Sequence, residues 1–326
     1  MLPFLLRRLS LAATLLALST PLVHASEPLQ AQLDQLAKGA EPARLGIAVV
    51  DLASGARYGV HLDQPYPMMS DFKAAVAAAA LSRVDAGSMT LDQRIVVRPE
   101  DFLDGSAVPS LGSRLHGKPI SVTLAELLHD TVTESDNTGV EVLLAQLGGA
   151  GAVQDFLDRH QVTGVRITAG EREIAAIFHN LNGATEPPAN ESDEQRAVRL
   201  TEGYHKFLSS PPNTTTPAGG ALFIGKLYRG ELLSPRSTRY LLHLMHHQAE
   251  RLVGGVPAGA HFSDKTGTSV TVNDSIAAFN DMGVISWRDG KAIVVVAYLS
   301  DSGAREDERA RLFASIARDA STALHH

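Results

Sequence analysis

The strand-like runs of this chain lie towards its two ends. "RLGIAVVDLASGARYGVHL", residues 44–62, folds back about Ser54-Gly55, and "DMGVISW" with "AIVVVAYLS" flanks Arg288-Asp289-Gly290-Lys291, so each reads as a hairpin. Between them the sequence reads as helices. "SVTLAELLHDTV" opens with Thr123 and Glu126 in capping-box spacing, and "GVEVLLAQLGG" and "GAVQDFLDRHQV" follow with glycines at their junctions. The spacing of Leu29, Leu33 and Leu36 predicts a helix over residues 28–38, and Ala310, Phe313, Ala314 and Ala317 line one face of a terminal helix. One further strand-like segment precedes the second hairpin. An α/β (α+β) fold follows: an antiparallel sheet of about five strands, packed by N- and C-terminal helices, with an all-helical domain inserted between its halves. The expected boundaries are residues 26–66 with 248–326 for the discontinuous sheet domain and 67–247 for the helical domain.

The first 25 residues differ in character. Arg7 and Arg8 precede an uncharged run from Leu9 to Val23, and Val23-His24-Ala25 comes before Ser26, the layout of a secretory signal peptide over residues 1–25. The run is too short and too unflanked to be kept as a membrane span. There is no cysteine, hence no lipid-anchoring thiol, no disulfide, no thiol nucleophile and no cysteine-ligated metal. Loss of Arg7 and Arg8 with the signal takes the formal charge from −7 to −9. An acidic chain without a basic run is a poor match for nucleic acid or an anionic membrane surface. A soluble protein of the periplasm or the exterior is expected.

Residues 180–216 depart from the helical pattern around them. They are polar, with Pro187-Pro188, Pro211-Pro212 and "NTTTP", yet Ser192 and Gln195 form a second capping box, and Leu200, Tyr204, Phe207 and Leu208 make an amphipathic stripe. A loop this long is functional or disordered, and the embedded helix favours an ordered excursion.

Chemistry is concentrated in three short motifs. Ser70 and Lys73 in "MMSDFKAA" would on their own also read as a helix cap followed by a solvated lysine. Ser135-Asp136-Asn137 and Lys265-Thr266-Gly267 change that reading. Each triplet arises by chance in a chain this long with a probability of roughly 5 to 10 per cent, and all three in this order are far rarer. Together they match the signature of penicillin-recognising serine hydrolases, and over essentially its whole mature length the chain resembles a class A serine β-lactamase. The full "KTGTS" and the glycine-rich "RLVGGVPAGAHFSDKTGTS" add to the match.

The resemblance implies a role for each residue. Ser70, at a helix N-terminus, would be the nucleophile, its N–H and that of Thr268 donating to the oxyanion. Lys73, on the same helical face, would take or relay the serine proton. Ser135 would pass a proton to the leaving lactam nitrogen, Asn137 would hold the substrate acylamide and Lys73, and Asp136 would pin its loop. Lys265 would supply positive charge, Thr266 a hydroxyl for the substrate carboxylate, and Gly267 room beside the backbone. Arg251 falls where some members place a carboxylate-binding arginine, an ion pair of the framework being the other reading.

Deacylation needs a base, which the family carries in a Glu-x-x-Leu-Asn loop. "GEREIAA" offers Glu171, with Ile174 at the leucine position and Ala175 at the asparagine; Glu173 and the Glu186 of "EPPAN" are the alternatives. Residues of about 165–216 then form an enlargement of the base-bearing loop, its helix a lid on the site. No cofactor or metal is expected. His243, His246 and His247 have helical ligand spacing, but no motif such as His-Glu-x-x-His accompanies them. A monomer acting on small-molecule β-lactams is implied. On the same scaffold, a DD-peptidase or esterase, or a slowly deacylating penicillin-binding sensor, are the rival readings.

Overall fold

A computed structural model describes residues 27–325 apart from 107, 109, 185 and 247–249. The signal-peptide reading of residues 1–25 lies outside the described residues, as does His247.

Both hairpins join one sheet. Its strands are β1 (Arg44–Asp51), β2 (Arg57–Val60), β3 (His261–Thr268), β4 (Phe279–Ser286) and β5 (Ala292–Ser300). They lie in the order β2-β1-β5-β4-β3, every neighbouring pair antiparallel. β1 runs beside β5 from Arg44 opposite Ser300 to Asp51 opposite Ile293, so the first strand closes against the last. The turns follow their chemistry. Asp51 accepts hydrogen bonds from Ala53 N and Ser54 Oγ, at 2.9 and 2.5 Å, ahead of Gly55 at φ +76°; Gly290, at φ +87°, turns the second hairpin.

β5 is buried along its whole length, which explains its unbroken apolar run. Its side chains alternate between two cores. Ile293, Val295, Ala297 and Leu299 pack with Leu29 and Leu33 of helix Glu27–Gly39 and with Phe313 and Ile316 of helix Glu306–Leu324. Val294, Val296 and Tyr298 face the inserted helices. At the centre of those runs Phe72–Asp85, buried without a break from Phe72 to Leu81, its alanines admitting neighbours on every side.

The expected capping boxes form. Thr123 Oγ1 accepts Glu126 N at 3.1 Å while Glu126 accepts Thr123 N at 2.7 Å, opening helix Leu124–Val132, and Ser192 with Gln195 opens helix Asp193–Ser209. The polar excursion is closed at its neck, where Val165–Arg166 pairs antiparallel with Thr214–Thr215. Asn213, wholly buried, locks that neck: its Oδ1 accepts Thr168 N and Ala169 N at 2.8 and 3.0 Å, and its Nδ2 donates to Ala169 O at 2.9 Å. Tyr204 and Phe207 of the excursion helix point inward as the stripe predicts. Phe207 meets Phe178 at 4.2 Å between ring centroids, Thr201 Oγ1 accepts Asn273 Nδ2 at 2.9 Å, and Tyr204 Oη donates to Asp301 at 2.8 Å. The excursion helix thus joins helix Glu171–Phe178 to the small hairpin that follows β3.

Candidate active site

Ser70 ends the turn just before helix Phe72–Asp85, with its side chain directed to Lys73 rather than to the helix backbone: Lys73 Nζ donates to Ser70 Oγ at 3.0 Å. The same ammonium, fully buried, donates to Ser135 O at 2.8 Å and Asn137 Oδ1 at 2.6 Å, and lies 3.1 Å from Glu171 Oε1. Burial drives Lys73 below its ordinary lysine value, and the Glu171 carboxylate opposes that shift.

The second motif sits at a bend that its own residues hold. Ser135 is left-handed, at φ +56°, a conformation that costs a non-glycine residue free energy. Asp136 fixes it as the N-cap of helix Asn137–Leu147, accepting Gly139 N at 2.8 Å through Oδ1 and Leu111 N at 3.0 Å through Oδ2. Asn137 is tied to the facing loop, its N–H to Ser106 Oγ at 2.8 Å and its Nδ2 to Asp104 O at 3.1 Å.

β3 brings the third motif alongside. Lys265, fully buried, donates to Ser135 Oγ at 3.2 Å and to Thr266 O at 3.1 Å. Burial and the neighbouring Lys73 charge push it down to about 7. Gly267 has no space for a side chain, since a Cβ would stand 2.4 Å from Asp71 Oδ1. Arg251, 6% exposed, supports the strand from behind. Its Nη1 donates to Gly267 O and Asn280 O at 2.9 and 2.6 Å, its Nη2 to Thr268 Oγ1, and its guanidinium lies 3.9 Å over the Phe279 ring. These bonds engage it with the framework, and Thr268 is its route to the cleft side.

Of the three candidate bases, Glu171 alone meets Lys73. It opens helix Glu171–Phe178 and is 5% exposed. Glu173 accepts Gly170 N at 3.0 Å as the helix cap, and Glu186 is exposed. Ala175 is half-buried in the same helix and brings no polar side chain.

Three contributors escape the sequence reading. Glu141 accepts Arg172 N at 3.2 Å, and a Cβ on Gly170 would stand 2.2 Å from its Oε1, so it fastens the start of the Glu171 helix. Burial pushes its carboxyl up. It is the one charge in "NTGVEVLLAQL", a signal that something must pair with it. Asp264 and Asp281 lie buried behind Lys265; burial and their mutual repulsion hold Asp264 well above the carboxylate range, and burial takes Asp281 to about 7 against the pull of Arg251. For Asp281 the corresponding signal is an acid inside a largely apolar strand, and Asp264 carries none beyond its place beside Lys265. Among the described residues no group of three His, Asp or Glu side chains converges as a metal site would require.

Comparison with known proteins gives the family. The model of the β-lactamase enzyme family matches residues 28–324. Beta-lactamase VEB-1 of Pseudomonas aeruginosa is 28% identical over 284 residues, spanning 86% of this chain and 85% of its own. The crystal structure of the TLA-1 extended-spectrum β-lactamase superposes with a TM-score of 0.75 at 26% identity, covering 91% of this chain and 99% of that one. An ancestral (GNCA) class A β-lactamase superposes at 0.72 with 33% identity, covering 90% and 99%. The chain belongs to the β-lactamase enzyme family, as a class A serine β-lactamase that hydrolyses β-lactams.

Proposed function

We propose that hydrolysis runs through an acyl-enzyme on Ser70 that a Glu171-activated water then clears. The observation that carries this reading is the Lys73 ammonium, in reach of both Ser70 Oγ and Glu171 Oε1 at 3.0 and 3.1 Å. Lys73, made more acidic by burial, gives up a proton towards Glu171 and accepts that of Ser70 as Oγ attacks the lactam carbonyl. The N–H groups of Ser70 and Thr268 take the developing oxyanion. Ser135, bridged to Lys265 at 3.2 Å, protonates the departing nitrogen. Lys265 and Thr266 hold the substrate carboxylate and Asn137 receives the acylamide, while the space left by the missing side chain of Gly267 is taken by Asp71 rather than by substrate. Arg251 orients the Thr268 hydroxyl. Lys73 then replaces the Ser135 proton and recovers its own from Glu171, whose freed carboxylate takes a proton from water as the water attacks the ester; that proton passes to Ser70 Oγ as the ester C–O bond breaks.

Ala175 supports a second reading for the last step. With no amide at that position to help hold the water, clearance of the acyl-enzyme is slowed. The helix Asp193–Ser209 braces the base-bearing helix against the hairpin beyond Thr268, so it governs the cleft width and with it substrate preference. The mature protein acts as a soluble periplasmic monomer.

Intact-mass time courses with excess benzylpenicillin test the scheme. An adduct on the wild type should appear and clear while product accumulates, and Glu171→Gln should trap it. A persistent wild-type adduct selects slowed clearance; absence of any adduct removes Ser70 as nucleophile.

A further inference from the structure

Asp71, inside the first motif, is buried completely and has no part in the steps above. It occupies the N-cap position of helix Phe72–Asp85, where an aspartate ordinarily accepts an N–H of the first turn, yet its side chain makes no such bond. It turns back: Oδ1 accepts Met69 N at 2.7 Å. Asn280 Nδ2 stands 3.5 Å from the same oxygen while donating to Pro67 O at 2.8 Å. Asn280 pairs directly opposite Gly267, whose Cα side is filled by Asp71 Oδ1. The carboxyl is wedged between the residue before the nucleophile and the glycine of β3. Lys265, two residues before Gly267, shares that face of the strand. Asp71 Oδ2 is buried with no hydrogen-bond partner among the described residues.

A buried carboxyl without full pairing is costly, so its presence calls for a return. Burial pushes Asp71 up to about 7, opposed by Met69 N–H, Asn280 and the Lys265 charge. Lys265, pushed down to about 7, is in turn supported by Asp264 and Asp71. The other ionisable groups facing this pair are Lys73 on the Ser70 helix, Arg251, Asp281 on β4 and Tyr298 on β5.

We propose that Asp71 is a positioning residue for substrate anchoring: its carboxylate braces the Ser70 turn against Gly267 and is the counter-charge beneath the Lys265 ammonium. The inference rests on Lys265 as the anchor of the substrate carboxylate. Asp71→Asn keeps the shape and an acceptor for Met69 N–H but removes the charge; Asp71→Thr is a second neutral variant should the first not fold. Profiles of kcat/KM against pH are measured with benzylpenicillin and with its methyl ester, which lacks the anion. With benzylpenicillin the alkaline limb moves to lower pH, and kcat/KM at pH 8 falls about three- to tenfold, chiefly through KM. With the ester the change stays under about twofold. An unmoved limb overturns the proposal, and so do equal losses with both substrates, which would make Asp71 structural only. A wild type that forms no Ser70 adduct with either compound would remove the underlying scheme instead.

Discussion

The two edge strands of the sheet face one problem and meet it differently. An edge presents a row of backbone donors and acceptors that invites pairing with another chain. β2 is four residues long, with Arg57 exposed and the rest half-buried, and Gln30 of helix Glu27–Gly39 takes both Gly59 N–H and Gly59 O, at 3.0 and 2.9 Å, so it has little edge to offer. β3 is eight residues long and buried from Asp264 to Gly267. It is protected by cover. Met245 O accepts Asp264 N at 2.6 Å and His246 bridges Ser263, and past them Ser135 and Asp71 close over the strand. A covered edge that carries the buried ionisable groups of Asp264 and Lys265 is costly to keep. What that cost maintains is the Lys265 ammonium beside Ser135, and β2 holds no such group.

The layer beneath the sheet centre should separate stability from chemistry. Phe313 is fully buried, 5.1 Å from Phe279 between ring centroids. Phe313→Ala should cost about 3–5 kcal/mol, read from urea midpoints at constant slope. Below its melting transition the variant should keep kcat/KM for benzylpenicillin within about twofold, because Phe313 reaches the cleft only through Phe279 and Arg251. A large kinetic loss would mean that the terminal-helix layer reaches the site.

On β3 the balance should reverse. Lys265→Met removes a buried ammonium, and kcat/KM for benzylpenicillin should fall about 10²- to 10³-fold. Melting should fall, since buried Asp71 and Asp264 lose the positive charge that faces them. Kinetics equal to wild type would make β3 an ordinary edge. Stability against pH gives a smaller effect of defined sign. Asp71 sits at about 7 in the folded protein against an ordinary 3.8, so the native state binds the extra proton between those values. The contribution is complete below about pH 3.8 and is lost as pH rises to about 7. Asparagine does not titrate. The stability of Asp71→Asn relative to wild type should therefore climb by about 3 kcal/mol between pH 4 and 7 and level off above. A flat difference in denaturant titrations would place the ordinary aspartate value in the folded state.

What was legible in the sequence is what local spacing determines. The hairpins, both capping boxes and the unbroken burial of β5 follow from period, turn residues and apolar runs. Ser70, Lys73 and the two triplets are readable as motifs, and Glu171 through its separation from Ser135. Glu141, Asp71 and Asn213 escape because their partners are tertiary. Glu141 meets Arg172 across 31 residues of chain, and Asn213 meets Ala169 across 44. Asp71 carries a further difficulty: the sequence reading places the helix cap at Ser70, and only the proximity of Gly267 and Asn280 explains why Asp71, at the cap position, turns inward. The lid reading of the excursion meets a similar limit, since an amphipathic stripe specifies that a helix packs but not against what.

The smallest effect belongs to β2. Arg57 stands opposite Val50 on the outer strand and is exposed, with no side-chain hydrogen bond to lose among the described residues. Arg57→Ala should change stability by no more than about 0.5 kcal/mol and leave hydrolysis untouched. A charge on an edge strand also deters pairing with a second chain, so the variant isolates that function from folding. If four residues are too few to template another strand, sedimentation at high protein concentration will find the variant as dispersed as wild type. Association of the variant alone would mean that β2 is protected by its charge rather than by its length, and the contrast with β3 would narrow to one of charge placement.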